Sequence, residues 1–416
     1  MNMEHALSEK ADLVVTGGGA AGFFCAVNAA RLHPGKKIVL LEKTGKLLSK
    51  VKVSGGGRCN VTHALDSVSE LVKRYPRGGN FLKKSFSRFF VPDTIGWYAE
   101  RGVTLKTEAD GRMFPDSDDS QTIIDCLLRE ADRHRVQIRR HAEAQSLERV
   151  NGDWKITIAG GATITAPSVC IAAGGYASAD KFAYLTALGH TIEPPAPSLF
   201  TFNMPGNPVT GLMGVSVPEA AVRIAGSKLA EKGPLLITHW GMSGPAVLRL
   251  SAWGARYLQE QQYKFTLIVN WLPDMNENAL RDAWPQWRQE LGKQQTGTRN
   301  PFGLPSRLWL FLLAEAGIPE STRWAEIPAK EQNRLIRLLT AMEFPVSGKT
   351  TFKEEFVTCG GIRLSEIDPL TMQSRVVPGL YFAGEVMDVD GITGGFNFQH
   401  AWTSGWIAAH LEGAGH

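Results

Sequence analysis

The sequence predicts an α/β fold of Rossmann type, with a nucleotide-binding domain in two parts and an inserted domain between them. Three observations carry this. A short apolar strand, a G-x-G-x-x-G turn and an apolar helix succeed one another between residues 11 and 42. A strand ending in Gly384-Glu385 precedes a second glycine-rich helix start near the other end of the chain. Between them lies a long stretch of different texture, and a single core stops growing at roughly 250–300 residues, so 416 residues need more than one packed unit.

Taken in order, Ala11 to Thr16 reads as a buried strand, Ala20 to Leu32 as a helix and Ile38 to Leu41 as a second strand, a βαβ unit. Residues 120–134 have amphipathic helical spacing. Val136 to Ile138, Ala142 to Leu147 and Trp154 to Ile158 read as strands, with Asn151-Gly152 as a hairpin turn. Ser168 to Ala173 is another buried strand running into Gly174-Gly175. Pro194, Pro195 and Pro197 break any helix and mark a crossing into another unit. The expected organisation is therefore 1–195 as the first part of the nucleotide-binding domain and 351–416 as its second part. Residues 196–350 form an inserted substrate or lid domain, with a β part to about 270 and a helical part of three stretches after it.

Composition excludes several classes. Apolar content of 43% with 21% charged residues is ordinary for a globular protein, and a net charge of +4 over this length points to no dedicated nucleic-acid binder. Five widely spaced cysteines without a C-x-x-C pair read as reduced thiols. No apolar run reaches the roughly 20 residues of a membrane span, and the first ten residues hold no apolar leader segment, so the expectation is a cytoplasmic protein that does not enter the membrane.

Gly17-Gly18-Gly19-Ala20-Ala21-Gly22 follows a strand and opens a helix, the context that gives a glycine fingerprint meaning. Gly17 permits the tight turn, Gly19 lets the backbone approach a pyrophosphate, and Gly22 allows close helix–strand packing. The helix start offers free N–H groups to that anion. Glu42, twenty residues after Gly22 and followed by Lys43, can accept hydrogen bonds from an adenosine ribose. The plain alternative is a glycine turn beside an exposed acid.

A rarer string is Ser54-Gly55-Gly56-Gly57-Arg58-Cys59-Asn60, whose glycines imply a backbone pressed against a flat ligand or anion that Arg58 could also meet. Near the other end, Gly379-Leu380-Tyr381-Phe382-Ala383-Gly384-Glu385 is followed by Gly394-Gly395-Phe396-Asn397-Phe398-Gln399 and an apolar helix from about His400. A helix start there could stabilise negative charge on a reduced flavin.

With HWGMSGPAVLRLS at 239–251 and TCGGI at 358–362, these strings resemble the HI0933-like family of bacterial FAD-dependent flavoproteins over nearly the whole chain. The resemblance implies FAD on a two-part domain. It puts Gly17, Gly19 and Gly22, with Ala20 and Ala21, at the pyrophosphate, Glu42 and Lys43 at the adenosine ribose, and Ala144 at the adenine through its backbone. Ser54 and Gly55 to Asn60 would face the flavin together with Gly394 and Gly395 to Gln399, including Phe396 and Asn397. Gly384 and Glu385 would approach the ribityl chain and pyrophosphate, and Ala173, Gly174 and Gly175 would run beside the dinucleotide. Two positions depart from the family pattern: Lys46 to Lys50 lacks a common glycine, and His63 stands where an asparagine is usual.

Bound flavin would carry the redox step, so few catalytic side chains are needed. Candidates are His239, placed at a return from the inserted domain, His400 and the Cys59 thiol. A structural histidine is an equal reading for the first two, and packing outweighs redox chemistry for Cys59. Cys359 and Lys353 rank below them. No ligand set for a metal is expected. With a single G-x-G-x-x-G box, NAD(P)H would act as a transient reductant visiting an open cleft. The expected activity is NAD(P)H-linked reduction of a small unsaturated or keto substrate, with an oxidase using dioxygen as the nearest rival. A third possibility is an RNA-associated flavoprotein, because Lys73 to Phe90 mixes basic and aromatic residues. An amphipathic helix with Phe81, Phe86, Phe89 and Phe90 turned inward is the more economical account of that stretch.

Overall fold

The structure, a computed structural model, describes residues 8–350 and 357–412. Lys353 lies outside the described residues. The chain divides into two compact units, one holding residues up to Pro197 and from Phe352 onward, the other spanning Ser198–Thr351.

The first unit is built on a five-stranded sheet in the order Leu380–Phe382, Ser168–Ile171, Leu13–Thr16, Ile38–Leu41, Gln137–Arg139. Every pairing is parallel, and its three central strands are buried along their whole length and apolar except for Ser168 and Thr16 at their ends, which explains runs without polar alternation. The helix Ala20–Leu32 is buried almost all round because one side meets the sheet and another meets the helix Phe396–Ala408. Those two helices approach at glycine. A Cβ added at Gly405 would lie 2.6 Å from the Ala21 carbonyl oxygen.

The helix Gln121–Arg133 has its apolar face buried. A four-stranded sheet (Ser8–Lys10, Thr163–Ala166, Asp153–Ile158, Ala144–Val150) and a three-stranded sheet (Thr62–His63, Arg112–Pro115, Leu105–Thr107) complete the unit, with Ile192–Ser198 paired to Val357–Ile362.

The second unit is a seven-stranded antiparallel sheet with helices and a core of its own, including buried Trp271, Trp284, Trp309 and Trp324. The expected split into a β part before residue 271 and a helical part after it is corrected here. Helices Pro245–Trp253 and Ala255–Glu260 lie in the former, and strands Met342–Ser347 and Lys349–Thr350 in the latter. The strand Met342–Ser347 alternates buried and exposed residues and pairs with Lys264–Asn270, a tertiary choice invisible in a short run that follows a helix directly. Among the described residues no helix is long and apolar enough to cross a membrane.

Gly405→Ala tests the helix contact. Alanine in a helix gains about 1 kcal/mol over glycine, while overpacking costs about 1–3 kcal/mol. With a rigid carbonyl 2.6 Å away, the overpacking dominates. The melting temperature should fall by about 2–4 °C per kcal/mol lost; an unchanged or raised value would contradict this packing.

Candidate functional site

The turn at 17–22 is shaped by contacts that only glycine permits. Gly17 has φ +109°, and a Cβ there would lie 2.2 Å from the Ala172 carbonyl oxygen. A Cβ at Gly22 would lie 1.9 Å from the Gly17 carbonyl oxygen, so the helix could not start so close to the strand with any other residue. Gly19 differs: it is the N-cap, no side chain caps the helix, no acid stands in its first turn, and a Cβ there would meet nothing within 4 Å. An uncapped, sterically open helix start results, with N–H groups available to an anion.

Glu42 fixes this turn from the next strand. One carboxylate oxygen accepts from Gly18 N–H at 2.8 Å, and the other accepts from the Thr44 N–H and hydroxyl, each at 2.8 Å. Gly17, Glu42, Lys43, Ala144 and Ala173 line one cavity. Tyr176 and Tyr184 share that cavity, their hydroxyls 3.4 Å apart, and no local sequence signal marks them as site residues.

Around the second box, Gly55, Gly56 and Gly57 take φ of +59°, +70° and +87° in succession, and Cys59 follows at +61°. A Cβ at Gly56 or Gly57 would meet no protein atom within 4 Å, whereas one at Gly55 would strike the Phe114 ring at 2.8 Å. Gly56 and Gly57 thus present a bare backbone shelf. Ser54 is turned to its own segment, its hydroxyl donating to Val51 O at 3.0 Å. Arg58 is engaged elsewhere: it pairs with Glu108 at 2.6 Å and lies over the Phe114 ring. The Cys59 thiol is fully buried, and burial pushes its pKa up to about 12, so it stays protonated at neutral pH.

Gly395 is the N-cap of the helix Phe396–Ala408, which carries no side-chain cap and no acid in its first turn. Its other side is pressed onto protein: a Cβ would lie 2.6 Å from Thr62 O, and Asn60 spans the Gly395 N–H and Thr62 O at 3.0 Å each. The side chains that follow are spent internally. Asn397 clasps Gly391 through two 2.8 Å hydrogen bonds. Gln399 is buried and accepts from the Thr62 and Thr94 hydroxyls, and Phe396 is buried against His63 in a stacked pair. This stretch offers a ligand its backbone, not its side chains. At Gly394, a Cβ would meet the Phe396 ring at 2.6 Å.

Gly384 approaches the first helix, where a Cβ would lie 2.8 Å from the Ala21 methyl, and its N–H donates to the Ser404 hydroxyl. Glu385 accepts from Thr358 N–H at 2.8 Å and pairs with Lys50 at 2.5 Å. A Cβ at Gly175 would lie 2.9 Å from a Glu385 carboxylate oxygen, and one at Gly174 would lie 4.0 Å from the other, which brings the 173–175 and 384–385 strings together. His400 is buried beneath them. Its Nε2 donates to Gly384 O at 3.1 Å, and burial lowers its pKa to about 4, so it is neutral at pH 7.

His239 is not at a return between units. It stands exposed in the turn between strands Ala230–Ile237 and Gly241–Ser243, inside the second unit, where it and Trp240 border a cavity of about 290 Å³. His239 belongs to a tight turn in which the Thr238 and Gly241 N–H groups reach each other's carbonyls. Cys359 is fully buried. Among the described residues no cluster of His, Cys, Asp or Glu could hold a metal ion.

The family model for the HI0933-like protein Rossmann domain matches residues 11–411. The chain belongs to the HI0933-like family. It is 32% identical to the ribosomal RNA dihydrouridine synthase of Escherichia coli, covering 96% of this chain and 98% of that protein. Over 95% of this chain and 97% of the relative, it is 29% identical to the 3-dehydro-bile acid delta(4,6)-reductase of Clostridium scindens. The solved 3-ketosteroid-delta4-(5alpha)-dehydrogenase of Rhodococcus jostii shares the fold, with TM-score 0.53, 15% identity and coverage of 100% and 99% of the two chains. The family is one of FAD-dependent oxidoreductases. Two uncapped helix starts, a bare glycine shelf and a carboxylate at the end of the second strand fit FAD.

Gly56→Ala and Gly395→Ala separate the ligand-facing glycine from the packed one. A left-handed alanine costs roughly 1–2 kcal/mol at either site. At Gly56 the added methyl enters open space, so the apoprotein should melt only slightly lower while flavin content at purification drops. At Gly395 it strikes Thr62 O, so apoprotein stability should fall further. Full flavin occupancy in Gly56→Ala would remove the shelf from the site.

Proposed function

We propose that this protein is an FAD-dependent reductase of carbon–carbon double bonds conjugated to a carbonyl, with uridine in ribosomal RNA as the leading substrate. The observation that carries the cofactor half is the bare backbone of Gly19, Gly56 and Gly57 beside the Glu42-braced turn. In this reading the open helix start at Gly19 to Gly22 holds the pyrophosphate. Glu42, Lys43 and Ala144 take the adenosine, with Tyr176 beside them. Gly384, Glu385 and Ala173 to Gly175 line the ribityl path, and Ser54 to Asn60 face the flavin opposite the helix start at Gly394 to Gln399.

The substrate half rests on chemistry shared by the relatives. Dihydrouridine is uridine with its ring double bond reduced, and that bond is conjugated to a ring carbonyl; the 3-dehydro, delta(4,6) name describes a ketone conjugated to double bonds. Bound FAD supplies hydride for such a bond, with NADPH or NADH as the source of electrons. The uncapped helix start at Phe396 stabilises negative charge nearby, and Glu42 holds the turn in binding geometry.

Anaerobic mixing with NADPH and NADH should bleach the flavin, and a short uridine-containing RNA should reoxidise it and gain the mass of two hydrogens per reacting base. Electrons passing only to dioxygen, with neither RNA nor a conjugated ketone reduced, would sink this reading in favour of an oxidase. Glu42→Ala removes a charged acceptor whose hydrogen bonds are worth roughly 1.5–3 kcal/mol, so FAD affinity should fall about tenfold to a hundredfold by flavin titration. Unchanged affinity would take Glu42 out of the site.

A further inference from the structure

The stretch from Lys73 to Phe90 takes no part in the cofactor cradle, and its side chains divide into two groups. Three of the aromatic rings turn inward: Tyr75, Phe86 and Phe89 are buried, Tyr75 packs on Phe86, and Phe89 packs on Phe24, while Phe81 and Phe90 are half-buried. Three cations are matched, Lys73 to Glu70 at 2.6 Å, Arg88 to Glu412 at 2.5 Å, and Arg77 to the fully buried Asp390. Arg74, Lys83 and Lys84 are exposed, and among the described residues no carboxylate forms an ion pair with them.

Backbone contacts tie the segment of Arg74 to the loop that leads into the helix Phe396–Ala408. Ile392 N–H donates to Arg74 O at 2.9 Å, and Arg77 and Asp390 join in a β-bridge. The short helix Gly79–Ser85, which carries Lys83 and Lys84, packs against both Val68–Val72 and Phe396–Ala408. The charge of Arg74 reaches His63, whose Nδ1 lies 3.0 Å from Gly394 O. Burial first, and then the Arg74 and Arg112 charges, lower the His63 pKa against the Gly394 hydrogen bond and the Asp110 charge. Arg112 is itself matched by Asp110 at 2.7 Å and Glu108 at 3.0 Å, which leaves Arg74 as the unmatched cation there.

We propose that Arg74, Lys83 and Lys84 form a phosphate track that holds the backbone of single-stranded RNA beside the flavin-facing loop. This rests on the RNA reading of the substrate. Charge complementarity selects the occupant, because three cations without an ion-pair partner on adjoining segments suit successive phosphodiesters, whereas a bile acid offers a single carboxylate. The buried rings of Tyr75, Phe86 and Phe89 are closed to stacking with bases. The track therefore positions the strand without reading its bases.

The test uses the holoprotein and a fluorescein-labelled single-stranded oligouridine, with affinity measured by anisotropy across a salt series. Each phosphate contact to a single strand contributes a slope of about 0.7 in log K against log salt, so R74Q/K83Q/K84Q should lose a slope of about 2. At ~0.1 M salt that is about fivefold per contact and on the order of a hundredfold for three. Each single substitution should lose a slope of about 0.7, which keeps the test open if the triple variant misfolds. Flavin content and absorbance report folding. K10Q/K36Q/K181Q removes the same charge at exposed lysines elsewhere in the unit and should keep the parental slope.

An unchanged slope in R74Q/K83Q/K84Q, an equal loss in the control, or no RNA binding by the parent would overturn the track. So would a raised KM for NADPH with RNA binding intact, which would assign the cations to coenzyme phosphates. A parent that binds with this salt dependence but forms no dihydrouridine leaves the track standing and removes the RNA-reduction reading. A parent that forms dihydrouridine while the triple variant keeps its slope does the reverse.

Discussion

The close approach of the helix Ala20–Leu32 to its surroundings is the constraint on which the first unit depends. At one end the helix begins against the Gly17 carbonyl, where Gly22 leaves no room for a Cβ; along its side it meets Gly384 and Gly405 from the far end of the sequence. A single helix thus sets the position of the first turn, the strand ending at Phe382 and the helix Phe396–Ala408. Backbone contact at such distances tolerates little adjustment, because packed interiors resist even a methylene of added volume. The shape of the turn at 17–22 follows from this packing.

Around that helix the molecule keeps its side-chain chemistry to itself. Arg58, Asn397, Gln399, His400 and Glu385 all lie in strings that could serve a cofactor, yet each is held by partners within the protein. The surfaces left over are backbone: two helix starts and a glycine shelf. This suits a redox cofactor that brings its own reactivity, since the protein's task is then to fix an orientation and an electrostatic environment.

The parts legible in the sequence are those whose causes are local. The 17–22 box, the strands on either side and the acid at residue 42 could be read because turn geometry and strand burial act over a few residues. The pairing of Arg58 could not be read, since its partner Glu108 lies fifty positions away. Tyr176 and Tyr184 follow a glycine string that draws attention to itself and carry no pattern of their own. His239 looked like a boundary residue because glycines mark both domain crossings and tight turns, and only the pairing of Ala230–Ile237 with Gly241–Ser243 decides between them. The strand Met342–Ser347 was hidden for a similar reason, being defined by its partner Lys264–Asn270.

The strand Ser168–Ile171 sits between Leu13–Thr16 and Leu380–Phe382, so the central sheet joins early and late stretches of the chain. A ribosome making this protein releases the turn at 17–22 long before the helix Phe396–Ala408. Until the last stretch emerges, the nascent sheet carries an open edge along Ser168–Ile171, and the whole of the second unit must be threaded out in the meantime. Pairings of such long sequence separation close slowly, after local elements have formed. A chain arrested after its second unit therefore lacks the strand Leu380–Phe382 and leaves Ser168–Ile171 bare along the edge it would have covered.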